Sequence, residues 1–274
     1  MEHRHRAGVW LLLVLVLTAL PVAANQPLAT RIPPPPGCHR VALPADSFGA
    51  WLRQLPLKPG RPPVHLYDGT LKAQQHHHHA VIDRDVGRRD LQQCADAIIR
   101  LRAEYLLESG RPDEICFAFT SGDLACWQQW RVGFRPSVQG SAVSWHHSAT
   151  ADSSHANFWS YLESVFLYAG SYSLSRELEP LSDWAGLTAG DVFIRGGFPG
   201  HAALVVDVAA DSQGQMFFLL AQSFMPAQEI HILQAPGEAT SPWYPVVDGV
   251  SLRTPEWTFE PTELRRFPSA ASTR

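Results

Sequence analysis

The chemistry-bearing residues of this 274-residue chain are a cysteine at the start of a helical stretch and a histidine that opens a strand. From Asp90 to Ser109, the residues Leu91, Ala95, Ile98, Ile99, Ala103 and Leu106 form an apolar stripe at helical spacing. Asp90 reads as the N-cap, with Gln93 three residues on in a capping-box pattern, and Gly110 as the stop. Cys94 then lies in the first turn, where the helix dipole and free backbone N–H groups lower a thiol's pKa and can hold an anion. The competing reading is structural. Cys94 shares a face with Ile98, Leu101 and Tyr105, and periodicity alone favours a buried core cysteine.

The histidine is His201. Gly190 to Ala209 reads as a short strand, a glycine-rich turn and a second strand. Gly196, Gly197 and Gly200 permit positive φ and close backbone approach, so the imidazole is delivered at a strand end beside little side-chain bulk. A tight structural corner would also place a glycine-flanked histidine there. Gln213-Gly214 supplies a turn and residues 215–224 a further strand, giving a hairpin folded about Asp211-Ser212. That register sets Gln222 opposite His201, about 5 Å away, where it could orient the ring. A slip of one residue offers Ser223 instead. Asp207 shares the face but lies roughly 20 Å along the strand. The plain alternative for Gln222 is a buried amide bonded to neighbouring backbone.

Positioning these groups requires a folded domain, and composition supports one. The formal charge is −4, the basic residues are scattered among carboxylates, and no basic block suggests nucleic acid as a partner. Met1 to Ala24 has the parts of a secretory signal: Arg4 and Arg6, an apolar run from Val9 to Leu20, then small residues before a cleavage point near Ala24. The run is too short to span a bilayer, so a periplasmic or secreted protein with no stable membrane insertion is expected. Cys38, Cys94, Cys116 and Cys126 then enter a compartment where disulfides persist. Cys116 with Cys126 is the first expected bridge. Cys38 with Cys94 would be stapling, whereas a free Cys94 would be a candidate nucleophile.

In chain order, residues 25–44 read as a linker stiffened by Pro33 to Pro36, and residues 45–267 as a single domain followed by a polar tail, 268–274. Phe48 to Leu55 reads as a short helix and Pro62 to Asp68 as a strand. His76 to His79 are adjacent, and adjacent side chains diverge, so a solvated loop is preferred to a metal site. Glu114 to Thr120 alternates like a strand, and Cys126 to Arg131 suits a helical turn. Residues 136–154, rich in Ser and His, read as a loop. Helices are expected near 157–168 and 173–181, strands over 225–233, and aromatic turns at 241–244 and 254–259. No repeat, phosphate loop or cofactor motif is found, and the tryptophans suit core filling better than a sugar-stacking surface.

Several segments together resemble a family of exported bacterial proteins with a domain of unknown function (4846): Leu66-Tyr-Asp-Gly69, Asp85 to Ala97 with its Leu91-Gln-Gln-Cys-Ala95, Arg100 to Leu106, Gly196-Gly-Phe-Pro-Gly-His-Ala202, and Leu220 to Gln228. That family brings no activity. A second resemblance does. A cysteine early in a long helix, then Gly190-Asp-Val-Phe-Ile194, then Gly200-His-Ala-Ala-Leu-Val-Val206, is similar to the order in NlpC-type and CHAP-type papain-like peptidases and amidases. The resemblance implies Cys94 as nucleophile, His201 as base and Gln222 as the residue that orients the base, in acyl transfer through a thioacyl intermediate with no cofactor. Gln93 before the cysteine and Ala95 after it depart from that pattern, and residues 110–185 form an apparent insertion.

The implied fold is α+β, papain-like, with the Cys94 helix packed on a mainly antiparallel sheet that carries His201. The expected activity is hydrolysis of an envelope amide bond, with peptidoglycan as one such substrate. The rival is a non-catalytic envelope binding or structural protein on the same scaffold.

Overall fold

The sheet is built around one long hydrophobic strand, His201–Ala210, whose residues up to Ala209 are all buried. A strand buried on both faces needs cover on both, and neighbouring segments supply it. In the computed structural model, which describes residues 25–237 and 241–268, the main sheet comprises β1 (His39–Arg40), β2 (His78–Val81), β3 (Glu179–Pro180), β4 (Val192–Arg195), β5 (His201–Ala210), β6 (Met216–Gln222), β7 (His231–Leu233), β8 (Tyr244–Pro245) and β9 (Leu264–Arg266). Its order is β2-β7-β6-β5-β4-β9-β3, with β1 on β5 and β8 on β6. Every pairing is antiparallel. The expected signal segment Met1 to Ala24 and the tail from 269 onward lie outside the described residues.

Among the described residues, six α-helices complete the mixed α+β architecture: α1 (Leu28–Arg31), α2 (Phe48–Leu52), α3 (Cys94–Glu108), α4 (Trp127–Arg131), α5 (His155–Tyr168) and α6 (Ser171–Glu177). Alternation along the strands sorts the core into two layers. Ala202, Leu204, Leu219, Ala221 and Ile232 pack with Ala95, Ile98 and Ile99 of α3. On the other face, Ala203, Val205, Phe218 and Leu220 pack with Trp184, Tyr244 and Phe259. The sheet is therefore the middle of three layers.

Four sequence expectations change. Residues 25–44 are not a spacer: Leu28 and Ile32 are fully buried, Gln26–Pro27 pairs with Pro56–Leu57, and β1 joins the sheet. The prolines fix the segment's path along the core instead of isolating it. Residues 134–147 form a hairpin, Phe134–Gln139 with Ala142–His147, in place of the expected loop. Its alternation is real but carried by Val143 and Trp145 among serines and histidines, and Trp145 stacks on Phe119 at 6.2 Å. The histidine run is not a solvated loop. His78 is buried in β2 with Nε2 2.9 Å from the Pro62 carbonyl, while His79 Nδ1 lies 3.3 Å from Gln234 Oε1. Finally, the cysteine helix begins later than expected, at Cys94 with Gln93 as N-cap. The Gln93 N–H donates to Asp96 Oδ2 at 3.0 Å, and Asp90 instead accepts from the Ala227 N–H and the Gln93 side chain.

Candidate functional site

The late start of α3 makes Cys94 its first helical residue. Its thiol meets the backbone N–H groups of Ala202, Ala95 and Cys94 itself, each of which favours the thiolate. Burial and the neighbouring Asp96 outweigh them, so the thiol is pushed up to about 11. Cys94 is free, as is Cys38, so no bridge joins them. Cys116 and Cys126, facing each other across a two-stranded ribbon, form the disulfide.

His201 is delivered by the turn that the glycines make possible, although only Gly197 among the three needs a positive φ, +134°. The other two are required for closeness. A Cβ on Gly196 would meet Ser175 Oγ at 2.1 Å, and one on Gly200 would meet Ser171 Oγ at 2.3 Å and the Gly197 carbonyl at 2.6 Å. The turn is thus seated directly on α6. The imidazole is enclosed by Phe224, Trp257 and Phe259, with ring centroids 4.8, 5.3 and 5.7 Å away. Burial lowers its pKa to about 4, against the opposing hydrogen bond to Gln222 and the charge of Glu256.

Gln222 reaches His201 by a different register from the expected one. The β5–β6 pairing runs from Ala210↔Met216 to Leu204↔Ala221, with an irregularity between Val205 and Asp207. Continued to the strand start, it sets His201 level with Phe224 and makes Gln222 the diagonal neighbour. The difference from direct opposition is two residues, which preserves the face, and His201 Nε2 lies 2.9 Å from Gln222 Oε1. Ser223, on the other parity, donates to the Gln92 and Gln228 carbonyls and ties the loop before α3 to the sheet. Asp207 is buried with Arg40 and Arg53, each at 2.6 Å.

Sequence reasoning missed Glu256. Its Oε2 accepts from Gln222 Nε2 at 2.6 Å, and it also pairs with Lys72 and stands 3.4 Å from His77 Nδ1. Burial works to raise its pKa, but Lys72 and the nearby histidines hold the carboxyl below its ordinary value. An ionised carboxylate can only accept, so the Gln222 amide must turn its nitrogen to Glu256 and its oxygen to His201. His201 Nε2 must then carry the proton. Nδ1 is left with a free lone pair, the form that a general base needs.

Cys94 and His201 line one cleft of about 400 Å³, closed by Phe166, Gly170, Phe198, Met225 and Trp257. They approach it from different layers: Ala202, next to the histidine, packs toward α3, whereas Ala203 packs toward the aromatic face. Among the described residues, no hydrogen bond joins the thiol to the imidazole, and no cluster of three or more histidine, cysteine, aspartate or glutamate side chains is arranged to hold a metal ion. No helix of the described residues is long and apolar enough to cross a membrane.

Residues 28–266 match the model of a family described as a domain of unknown function (4846). No curated protein matches the chain, and no solved structure does.

Proposed function

We propose that this chain, which belongs to the domain of unknown function (4846) family, is a cysteine hydrolase of amide bonds with a papain-like arrangement of helix and sheet. The observation that carries the reading is the chain Glu256–Gln222–His201, which leaves Nδ1 as the basic ring atom of a histidine whose cleft is also lined by Cys94. A cysteine at a helix start supports the role of nucleophile, since the N–H groups of Cys94, Ala95 and Ala202 surround the charge that forms there.

With the thiol pushed up and the imidazole pushed down, the resting pair is neutral. The proton therefore leaves sulfur as the S–C bond forms. Sγ attacks the amide carbonyl carbon, Nδ1 of His201 takes the thiol proton, and helix-start N–H groups hold the oxyanion. The C–N bond then breaks, with the His201 proton passing to the departing amine. Water attacks the thioester, gives its proton to Nδ1, and the acid leaves as Cys94 regains a hydrogen. The Cys116–Cys126 disulfide supports an exported location, because such bonds persist in oxidising compartments.

The raised thiol favours a second reading, a binding protein that keeps the scaffold without turnover. A panel of peptide amides assayed with the parent chain, Cys94→Ala and His201→Ala separates the two. The hydrolase reading expects turnover and a mass-detectable thioacyl adduct that both substitutions remove. Ligand retention by Cys94→Ala, with neither turnover nor adduct in the parent, establishes the binding reading instead.

A further inference from the structure

The cleft's lining restricts what can be cleaved in it. Among the described residues, no lysine or arginine lines it. Apart from Cys94 and His201, its ionisable lining residues are Asp90, which is exposed, and Asp96, which is buried beside the thiol. A substrate carboxylate entering here would meet no cation in the lining, and at the mouth it would meet the exposed Asp90 carboxylate, a repulsion moderated by solvent. Of the arginines behind the lining, Arg89 is directed at Glu163, 3.3 Å away, Arg195 packs over Trp257 while paired with Glu263, and Arg176 packs over the Tyr172 ring.

The rim carries the opposite signal. Phe198 is 87% exposed, Met225 65% and Leu167 50%, and all three line the cleft. Phe198 is backed by Tyr172, the rings stacked at 6.4 Å. Three large apolar side chains held in water around one opening are a surface that a ligand's apolar group would cover. Phe198 lies in the turn that ends at His201, and Met225 follows the strand that carries Gln222, so an apolar group seated between them enters the cleft that Cys94 and His201 line.

We propose that the substrate is a peptide amide with a large apolar side chain next to the scissile bond and no carboxylate near it, the flanking residue being neutral or cationic. This assignment rests on the hydrolase reading for the word substrate, although the binding preference follows from the cleft alone. It separates this chain from hydrolases of acidic wall peptides, whose clefts must accommodate carboxylates.

The test uses the Cys94→Ala protein and calorimetry at neutral pH with three probes: N-acetyl-Phe-Lys-amide, N-acetyl-Phe-Glu-amide and N-acetyl-Ser-Lys-amide. The expected result is binding of the Phe-Lys probe about tenfold more tightly than either of the others, a difference of about 1.4 kcal/mol. Phe198→Ser, at an exposed position, should erase the Phe-over-Ser preference, and Asp90→Asn the Lys-over-Glu preference. Equal affinities, a preference for glutamate, or no binding by any probe at millimolar concentration overturns the assignment. Turnover of acidic peptides by the parent chain would overturn it while leaving the hydrolase reading intact. The expected binding order with no turnover in the parent would do the reverse.

Discussion

Gln222 stands between two partners that fix which way it points: its amide oxygen is 2.9 Å from His201 Nε2 and its nitrogen 2.6 Å from Glu256 Oε2. The acceptor-only carboxylate sets the amide, and the amide sets the tautomer of the histidine. Glu256→Gln removes that constraint, because a glutamine can present either end. The expected outcome is a mixed tautomer of His201 in ¹⁵N NMR and a fall in turnover of about 10²-fold, within the range for a mispositioned base. Gln222→Glu, which keeps an acceptor toward Nε2, makes it anionic and places two carboxylates together, should raise the pKa of His201. An unchanged Nε2–H signal in Glu256→Gln would show that the tautomer is set elsewhere.

The thiol pKa of about 11 has a direct consequence for reactivity. At pH 7 the thiolate fraction of Cys94 in the resting protein is on the order of 10⁻⁴. Alkylation by iodoacetamide is therefore expected to be slow at neutral pH and to rise tenfold per pH unit up to about pH 10. Asp96→Asn removes a negative charge that develops beside the thiol above about pH 8 and should move the alkaline part of the profile to lower pH. A rate already at its plateau at pH 7 would mean a preformed thiolate and a different charge state from the one described.

Asp96 makes stability depend on pH. Burial raises its carboxyl to about 8 from an ordinary 3.8, so the folded state holds a proton that the unfolded chain has lost over that interval. Its stabilising contribution is complete below about pH 4 and declines as pH rises toward 8, with a slope of up to about 1.4 kcal/mol per pH unit. His201 acts in the opposite sense. Its pKa is depressed to about 4, so its contribution is complete above its ordinary 6.5 and is lost as pH falls toward 4. Denaturant titrations of Asp96→Asn should show a stability gain at pH 8 that shrinks by pH 5. A constant difference would dissociate the effect from ionisation.

The placement of the candidate residues was legible where local pattern carried it. Cys94 at a helix start and His201 after a glycine turn follow from periodicity and from glycine placement, and the Gln222 contact survived a register error because the error was even. Glu256 was not legible. It is 34 residues from Gln222, in an aromatic turn without periodicity, and only tertiary packing brings it to the amide. The hairpin at 134–147 was hidden for a compositional reason, since serine and histidine fill the outward positions of its second strand. The boundary of the domain was misread because proline-rich sequence says how a segment bends, not whether its flanking leucine and isoleucine are buried.

Gly200 is the glycine on which the position of His201 depends most directly. A methyl group there would overlap Ser171 Oγ and two backbone carbonyl oxygens, at 2.3, 2.6 and 2.7 Å. A side-chain hydroxyl can rotate away, but backbone carbonyls cannot without moving the turn. Gly200→Ala is expected to cost about 1–3 kcal/mol, as overpacking does, and to lower turnover by more than its loss of stability explains. Ser171→Ala in the same background relieves one of the three overlaps and should recover only part of the stability. Full recovery would place the conflict at the hydroxyl alone.

Asp207 tests whether the amino-terminal segment belongs to the domain. The carboxylate is completely buried at the irregularity in β5, with Arg40 and Arg53 each bonded at 2.6 Å. Arg40 in turn donates to the Ile32 carbonyl, so the ion pair fastens residues 32–40 to the sheet. Removing the carboxylate strands two guanidinium groups in a low-dielectric setting, and breaking such a pair costs about 3–5 kcal/mol. Asp207→Ala should therefore lower the urea midpoint strongly, and Arg40→Ala and Arg53→Ala less, since each leaves the carboxylate one partner. Deleting residues 25–44 removes the fully buried Leu28 and Ile32, each worth about 1.5–3 kcal/mol of apolar burial, together with Arg40. If the segment were a spacer, that deletion would leave the midpoint where it was. A domain edge that begins at the family boundary predicts instead that the truncated chain unfolds before any single-site variant.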